Sequence, residues 1–210
     1  MGHHEHSDGS RTRVQWRSAR RGHCCCGGAT TRNMECEFVA CARDRNRTRT
    51  SCRHVAASIV GGIVATSAGR IVRVPCAVDV VMVVWVPSYT TSTSESRTKV
   101  GPIVSLDDAV FNIGRTALLV AALASGDVSA LRDATQDRLH QELRLAAVPQ
   151  SREALTIGLA NGALCGWLSG SGPTIALMCD PAHVDGVVGA LPADGSTKVL
   201  QIDTEGVVVL

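Results

Sequence analysis

Two short stretches carry side chains and backbone suited to holding an anionic small molecule. The first is GWLSGSGPTIA, from Gly166 to Ala176. Gly170 and Gly172 free the backbone to turn sharply, and the amides of Ser169, Gly170, Ser171 and Gly172 could form an anion-binding nest. The same residues would equally build an ordinary turn before a strand. The second stretch is QDRLHQELR, from Gln136 to Arg144. On one long helix, Asp137, His140, Gln141 and Arg144 fall at three- and four-residue steps and share a face. A solvated helix face has the same composition. Upstream, TSTSESR adds hydroxyls and Arg97. An arginine presents paired donors to the two oxygens of a carboxylate. Two arginines beside a glycine nest would suit a small carboxylate substrate with a phosphate nearby.

The elements that must position these groups follow from periodicity and capping signals. His54 to Val74 is small and apolar, with Gly61-Gly62 in the middle, and suits a buried helix end or a strand pair. Val78 to Val86 reads as a buried β-branched strand ended by Pro87. Pro87 to Pro102 is a polar loop. Ser105, with Asp108 three residues on, opens a helix that Gly126 ends. A second helix is expected from about Val128 to Leu145 and a third from Ser151 to Asn161. Thr174 to Cys179 is a strand. Asp180-Pro181 caps a helix through Ala190. Lys198 to Ile202 and Val207 to Leu210 are expected as strands joined at Glu205-Gly206. The sum is an α+β sandwich.

The 210 residues are enough for one ordinary domain or two small ones, and 45% of them are apolar, so a core can form. Charge divides the chain. Residues 1–53 carry eleven arginines, no lysine and five acids, whereas residues 54–210 carry ten basic and fourteen acidic residues. Six of the nine cysteines lie before residue 53. The start has no apolar run of the kind a secretory signal needs, and Val74 to Pro87 is too short to span a bilayer. A cytoplasmic protein is expected. Residues 1–53 lack helical or strand periodicity and are expected to be disordered or aberrant.

Three longer stretches, VFNIGRTALLVAALASGD, LRDATQDRLHQELRLAAVP and GALCGWLSGSGPTIAL, resemble homoserine kinase of the GHMP kinase superfamily. The resemblance runs from about Val55 to Leu210, and its pieces occur in the family's order. It implies a GHMP kinase-like fold: a ferredoxin-like C-terminal lobe at 105–210, and an incomplete N-terminal lobe whose remnant and linker span 54–104. It also implies phosphorylation of the L-homoserine hydroxyl with ATP and Mg2+, a step toward threonine. By the family pattern Arg97 and Arg144 hold the substrate carboxylate with Thr93 nearby, and Ser169, Gly170, Ser171 and Gly172 line the phosphate region. No nucleic-acid or membrane partner is implied; a homodimer is left open.

The family's GLGSSAA-type phosphate loop has no counterpart in the chain. The four residues where HPDN is expected are Ser51, Cys52, Arg53 and His54. No catalytic residue and no magnesium ligand can be matched, so catalytic competence is doubtful and a non-catalytic small-molecule-binding remnant, or another GHMP kinase, are the alternatives. Read one nucleotide later, TGC codons at Cys24 to Cys26 would encode alanines, as in the family's phosphate-loop helix. Residues 1–53 are therefore expected to be a frame-shifted translation or to follow a mispredicted start. Zinc binding by Cys24–Cys26, Cys36, Cys41, Cys52, His3, His4 and His6 lacks a C-x2-C pair. An arginine-rich nucleic-acid arm would give only salt-sensitive, non-specific binding.

Overall fold

A computed structural model of the chain describes residues 56–68, 70–89 and 103–208. Residues 56–60 are helical and lead into an antiparallel pair, β1 (Ile63–Ser67) and β2 (Arg70–Val74). The remaining strands form one four-stranded sheet: β3 (Val81–Pro87), β4 (Ala163–Leu168), β5 (Ile175–Cys179) and β6 (Gly195–Leu200). Its spatial order is β4-β5-β3-β6, and every neighbour is antiparallel. Between β3 and β4 run α1 (Leu106–Ser125), a 3-10 turn at Val128–Ala130, α2 (Leu131–Ala134), α3 (Gln141–Leu145) and α4 (Pro149–Ala160). Between β5 and β6 lies α5 (Val184–Ala190), preceded by a 3-10 turn. Two split strand–helix–strand units in this order make a ferredoxin-like α+β lobe.

Alternation along β3 sends successive side chains to opposite faces. Val81, Val83 and Trp85 pack with Ile175, Leu177 and Cys179 under α4 and α5. Met82 faces the other way, with Met178 and Cys165, under Leu123 of α1 and Leu131 of α2. Helices therefore cover the sheet centre on both faces. The Trp85 indole N–H donates to the Pro192 carbonyl at 2.9 Å, which satisfies the polar end of a fully buried ring. Contact between α4 and the sheet is close because Gly158 and Gly166 flank Leu177. A Cβ on either would lie 2.4 or 2.5 Å from a Leu177 methyl.

The capping signals of α1 behave as the sequence indicates. Ser105 Oγ accepts the Asp108 amide at 3.1 Å, and Gly126 closes the helix in the left-handed region at φ 79°. By length and apolar composition α1 could cross a bilayer. In the fold its C-terminal turn is packed through the buried Ala122 and Leu123. Asp180 accepts the Ala182 amide and opens the segment that continues through Ala190.

Four expectations are corrected. The helix from Val128 to Leu145 is broken: residues 135–140 form a turn, because Asp137 captures the amides of Leu139 and His140 that a continuous helix would direct to carbonyls. The third helix starts at Pro149, a favoured first position, and Ser151 lies inside it, buried. The strand β4 was not expected; a register irregularity between Ala163 and Cys165 disturbs its alternation. The C-terminal hairpin does not form among the described residues. Asp203 turns the chain by accepting the amides of Glu205 and Gly206, and the Val207 amide goes to the Ile59 carbonyl instead of to β6. Residues 1–55, Thr93, Arg97 and the last two residues lie outside the described ones.

Candidate functional site

Arg144, in the last turn of α3, reaches the glycine loop. Its Nη1 donates to the Gly170 carbonyl oxygen at 3.0 Å. Its Nε is buried with no acceptor among the described residues. The preceding turn of the same helix is tied to the same strand end: Gln141 Oε1 accepts the Leu168 amide at 2.9 Å. A helix of five residues is thus pinned at both ends to the end of β4.

These contacts wall a cavity of about 290 Å3. Asn112, Arg115 and Thr116 of α1 form one side, Asp137 and His140 of the turn another, and Trp167, Leu168 and Gly170 the base. The cavity is a shallow cleft, open to solvent over about half its surface. Of the four residues expected to share a helix face, all four line this cavity, although two of them do so from a turn.

The turn is held by Asp137. Its Oδ1 accepts from Asn112 Nδ2 at 2.9 Å and from the amides of Leu139 and His140 at 2.6 and 3.0 Å. Its Oδ2 lies 3.3 Å from His140 Nδ1. Burial pushes the Asp137 carboxyl upward. The hydrogen bonds from Asn112, Leu139 and His140 and the charge of His140 outweigh it, so the group is held below its ordinary value and stays ionised. Asn112 Oδ1 in turn accepts the Arg138 amide at 3.0 Å. Phe111, one residue before, carries the guanidinium carbons of Arg138 and Arg115 at 3.9 and 4.6 Å from its ring centroid. The roles of Asn112 and Arg115 were missed in the sequence; the signal was their place in FNIGR, which precedes QDRLHQ in the resemblance.

The glycine loop spends part of its nest on itself. The Ser169 amide donates to the Thr174 carbonyl at 2.8 Å, and the Gly172 amide to the Ser169 carbonyl at 3.0 Å. Gly170 and Gly172 both have positive φ, at 59° and 80°. The loop is braced from behind by the buried Ser151, whose Oγ donates to the Pro173 carbonyl at 2.6 Å and meets the Tyr89 hydroxyl at 3.2 Å. Ser169, Gly170, Ser171 and Gly172 thus sit where Arg144 arrives. Gly170 alone of the four belongs to the cavity wall.

Among the described residues no group of three or more His, Cys, Asp or Glu side chains converges as a metal site. The first turn of α1 carries Asp107 and Asp108, which repel a phosphate at that helix start. The start of α1 therefore does not fit a nucleotide polyphosphate.

A family model for the C-terminal region of GHMP kinases matches residues 119–197. Among curated proteins, homoserine kinase from Aquifex aeolicus is 41% identical over 122 residues, covering 56% of this chain and 41% of that protein. A homoserine kinase from Thermus thermophilus is 37% identical over 155 residues, 71% of this chain and 53% of that protein. The chain spans about half the length of the curated relatives it matches. Among solved structures, homoserine kinase from Cytophaga hutchinsonii superimposes with a TM-score of 0.68 at 23% identity, covering 82% of this chain and 56% of that one. Mevalonate kinase from L. major gives 0.57 at 16% identity, covering 83% and 59%. At those identities the two structures share the fold. Residues 119–197 thus match the C-terminal domain of GHMP kinases, and the chain is similar to homoserine kinases over the part of their length that it spans.

Proposed function

We propose that the chain serves L-homoserine phosphorylation, the ATP-dependent transfer of a phosphoryl group to its hydroxyl on the way to threonine, with the described lobe supplying the substrate-side wall. The observation that carries this reading is Arg144. It anchors one Nη on Gly170, has a buried Nε with no acceptor among the described residues, and lines a cavity of about 290 Å3. A guanidinium so placed suits a carboxylate. In this reading Arg97 and Thr93, outside the described residues, complete the carboxylate site, and Ser169 to Gly172 border the phosphate region. Residues 54–104 are an N-terminal-lobe remnant and linker, 105–210 the C-terminal lobe, and 1–53 a separate segment. ATP is the phosphoryl donor the family implies, and Mg2+ its companion. The free thiols of Cys76, Cys165 and Cys179 suit a reducing cytoplasm.

The chain's own residues bind and orient. Arg144 neutralises the carboxylate, and Gln141 and the 135–140 turn hold α3 against β4. No phosphoryl-transfer step is assigned to described residues. The missing GLGSSAA-type loop and HPDN segment favour a second reading, a carboxylate-binding remnant without kinase activity. An ADP-coupled assay of the purified chain with L-homoserine, mevalonate or no substrate, alongside calorimetric titration of L-homoserine, separates the two. Homoserine-dependent ADP release supports the kinase. Binding without ADP release supports the remnant. Mevalonate-dependent release moves the chain to another GHMP branch, and absence of homoserine binding removes both readings.

A further inference from the structure

We propose that Asn112 is a positioning residue for Arg144, acting through the 135–140 turn. The inference deepens the carboxylate-site reading and rests on it for the identity of the ligand alone. Asn112 stands in the middle of α1 and spends both ends of its amide on the turn. Nδ2 donates to Asp137 Oδ1, and Oδ1 accepts the Arg138 amide. An asparagine fits this double task because one planar group presents a donor and an acceptor side by side. Phe111 adds a second fastening, with the Arg138 guanidinium over its ring.

The turn so held delivers His140, the residue from which α3 starts. Helix α3 is too short to be stable by itself, so its direction is set by what holds its two ends. Its start is held by Asp137 through the His140 amide. Gln141, at the same end, accepts the Leu168 amide, and Arg144, at the far end, donates to the Gly170 carbonyl. If the turn leaves α1, Gln141 and Arg144 lose the fixed start that aims them at β4. Asn112 touches neither contact directly. Its effect on ligand capture runs through backbone placement.

The test uses the full chain with Asn112→Asp, Asn112→Ala and Asp137→Asn. Two quantities are measured at pH 5 and pH 8: calorimetric affinity for L-homoserine, and exchange of the Leu168 amide, each relative to the unaltered chain at the same pH. Asn112→Asp keeps the acceptor for the Arg138 amide but sets a second carboxylate against Asp137 Oδ1. Two such neighbours do not both ionise readily. At pH 8 affinity should fall roughly tenfold and Leu168 exchange should quicken by about the same factor. Near pH 5 a proton shared between the two carboxylates restores the hydrogen bond, and both quantities should recover. Asn112→Ala should lose them at both pH values. Asp137→Asn keeps an oxygen for the three N–H donors but loses its charge, so both quantities should fall at both pH values, by less than in Asn112→Ala.

Among the described residues His140 of the turn faces Asp137, Arg115 of α1 and Arg144 of α3 line the same cavity, and Arg115 and Arg138 both lie over Phe111. All are present in the unaltered chain, so the comparison at each pH removes their contribution. Unchanged Leu168 exchange in Asn112→Asp at pH 8 overturns the proposal. So does a loss that persists undiminished at pH 5, which a general packing defect would produce. If the unaltered chain does not bind L-homoserine, the carboxylate reading fails. Leu168 exchange still decides the role of Asn112.

Discussion

Arg144 Nη1 lies 3.0 Å from the carbonyl oxygen of Gly170, joining a five-residue helix to the turn between β4 and β5. The contact brings the two sequence stretches with the clearest chemistry to one place, although 26 residues separate the partners. It also fixes one arm of the guanidinium, so that the rest is presented in one orientation. A pre-aimed fork loses less freedom when it meets a carboxylate than a loose side chain does.

Replacing Arg144 by alanine should weaken L-homoserine binding by about 1.5–3 kcal/mol, roughly tenfold to a hundredfold. Arg144→Lys should recover only part of this, because an ammonium cannot hold Gly170 and the ligand with one planar fork. Isothermal calorimetry on the two variants checks the order. Equal affinity in Arg144→Ala and the unaltered chain would place the ligand elsewhere.

Leu177 is gripped between Gly158 of α4 and Gly166 of β4, with a Cβ on either falling 2.4 or 2.5 Å from one of its methyls. Gly166→Ala should therefore cost about 1–3 kcal/mol of stability through overpacking. Gly158→Ala should cost less, since alanine regains about 1 kcal/mol of helix propensity. Adding Leu177→Ala to Gly166→Ala should cost less than the sum of the single changes, because the same space is vacated and filled. Urea melts of the three variants measure the coupling; strict additivity would mean that α4 shifts instead.

Cys165 and Cys179 are fully buried, and burial pushes their thiols up from 9.0 to about 12 and about 11. In the folded chain both should resist iodoacetamide at pH 8, whereas the exposed Cys76 reacts. Peptide mapping after a timed pulse reads this directly. The linkage has a definite sign: the folded values are raised, so their contribution is complete below pH 9. It declines as pH rises from 9 toward 12, because the unfolded chain ionises first. Replacing both by alanine should flatten that alkaline decline, at the cost of some packing.

Asp137 has the opposite sign. Its folded value lies below the ordinary 3.8, so its contribution is present above pH 3.8 and is lost as pH falls through the folded value. Thermal melts between pH 5 and pH 3 should show a steeper acid decline in the unaltered chain than in Asp137→Asn. Parallel curves would mean that the carboxylate is equally bonded in the unfolded chain.

Much of the lobe was legible residue by residue. The ends of α1 were readable because Ser105 and Gly126 act on their own neighbours, and a cap is a local device. β3 was readable because β-branched residues cluster there, and α5 because Asp180-Pro181 is a local start signal. β4 was not, since Gly166 and the irregularity at Cys165 make sense only with Leu177 and Met178 beside them. The C-terminal hairpin failed for a similar reason: the Val207 amide finds its acceptor at Ile59, far away in sequence.

The cavity shows the same division. Three- and four-residue steps placed Asp137, His140, Gln141 and Arg144 on one face of an expected helix, and in the fold all four line one cavity although the helix is broken. Residue types determined that Arg144 and the glycine loop suited an anion, since donor geometry is a property of the side chain and of positive-φ backbone. Only the tertiary structure decided that the helix breaks at residue 135. Asn112 reaches across from α1 to hold Asp137, and the bonds Asp137 then makes to the Leu139 and His140 amides replace helical ones. A partner 25 residues distant carries no local signature. Its contribution exists once the sheet has placed α1 beside the turn, so the position of Arg144 is a property of the fold, while its chemistry belongs to the chain.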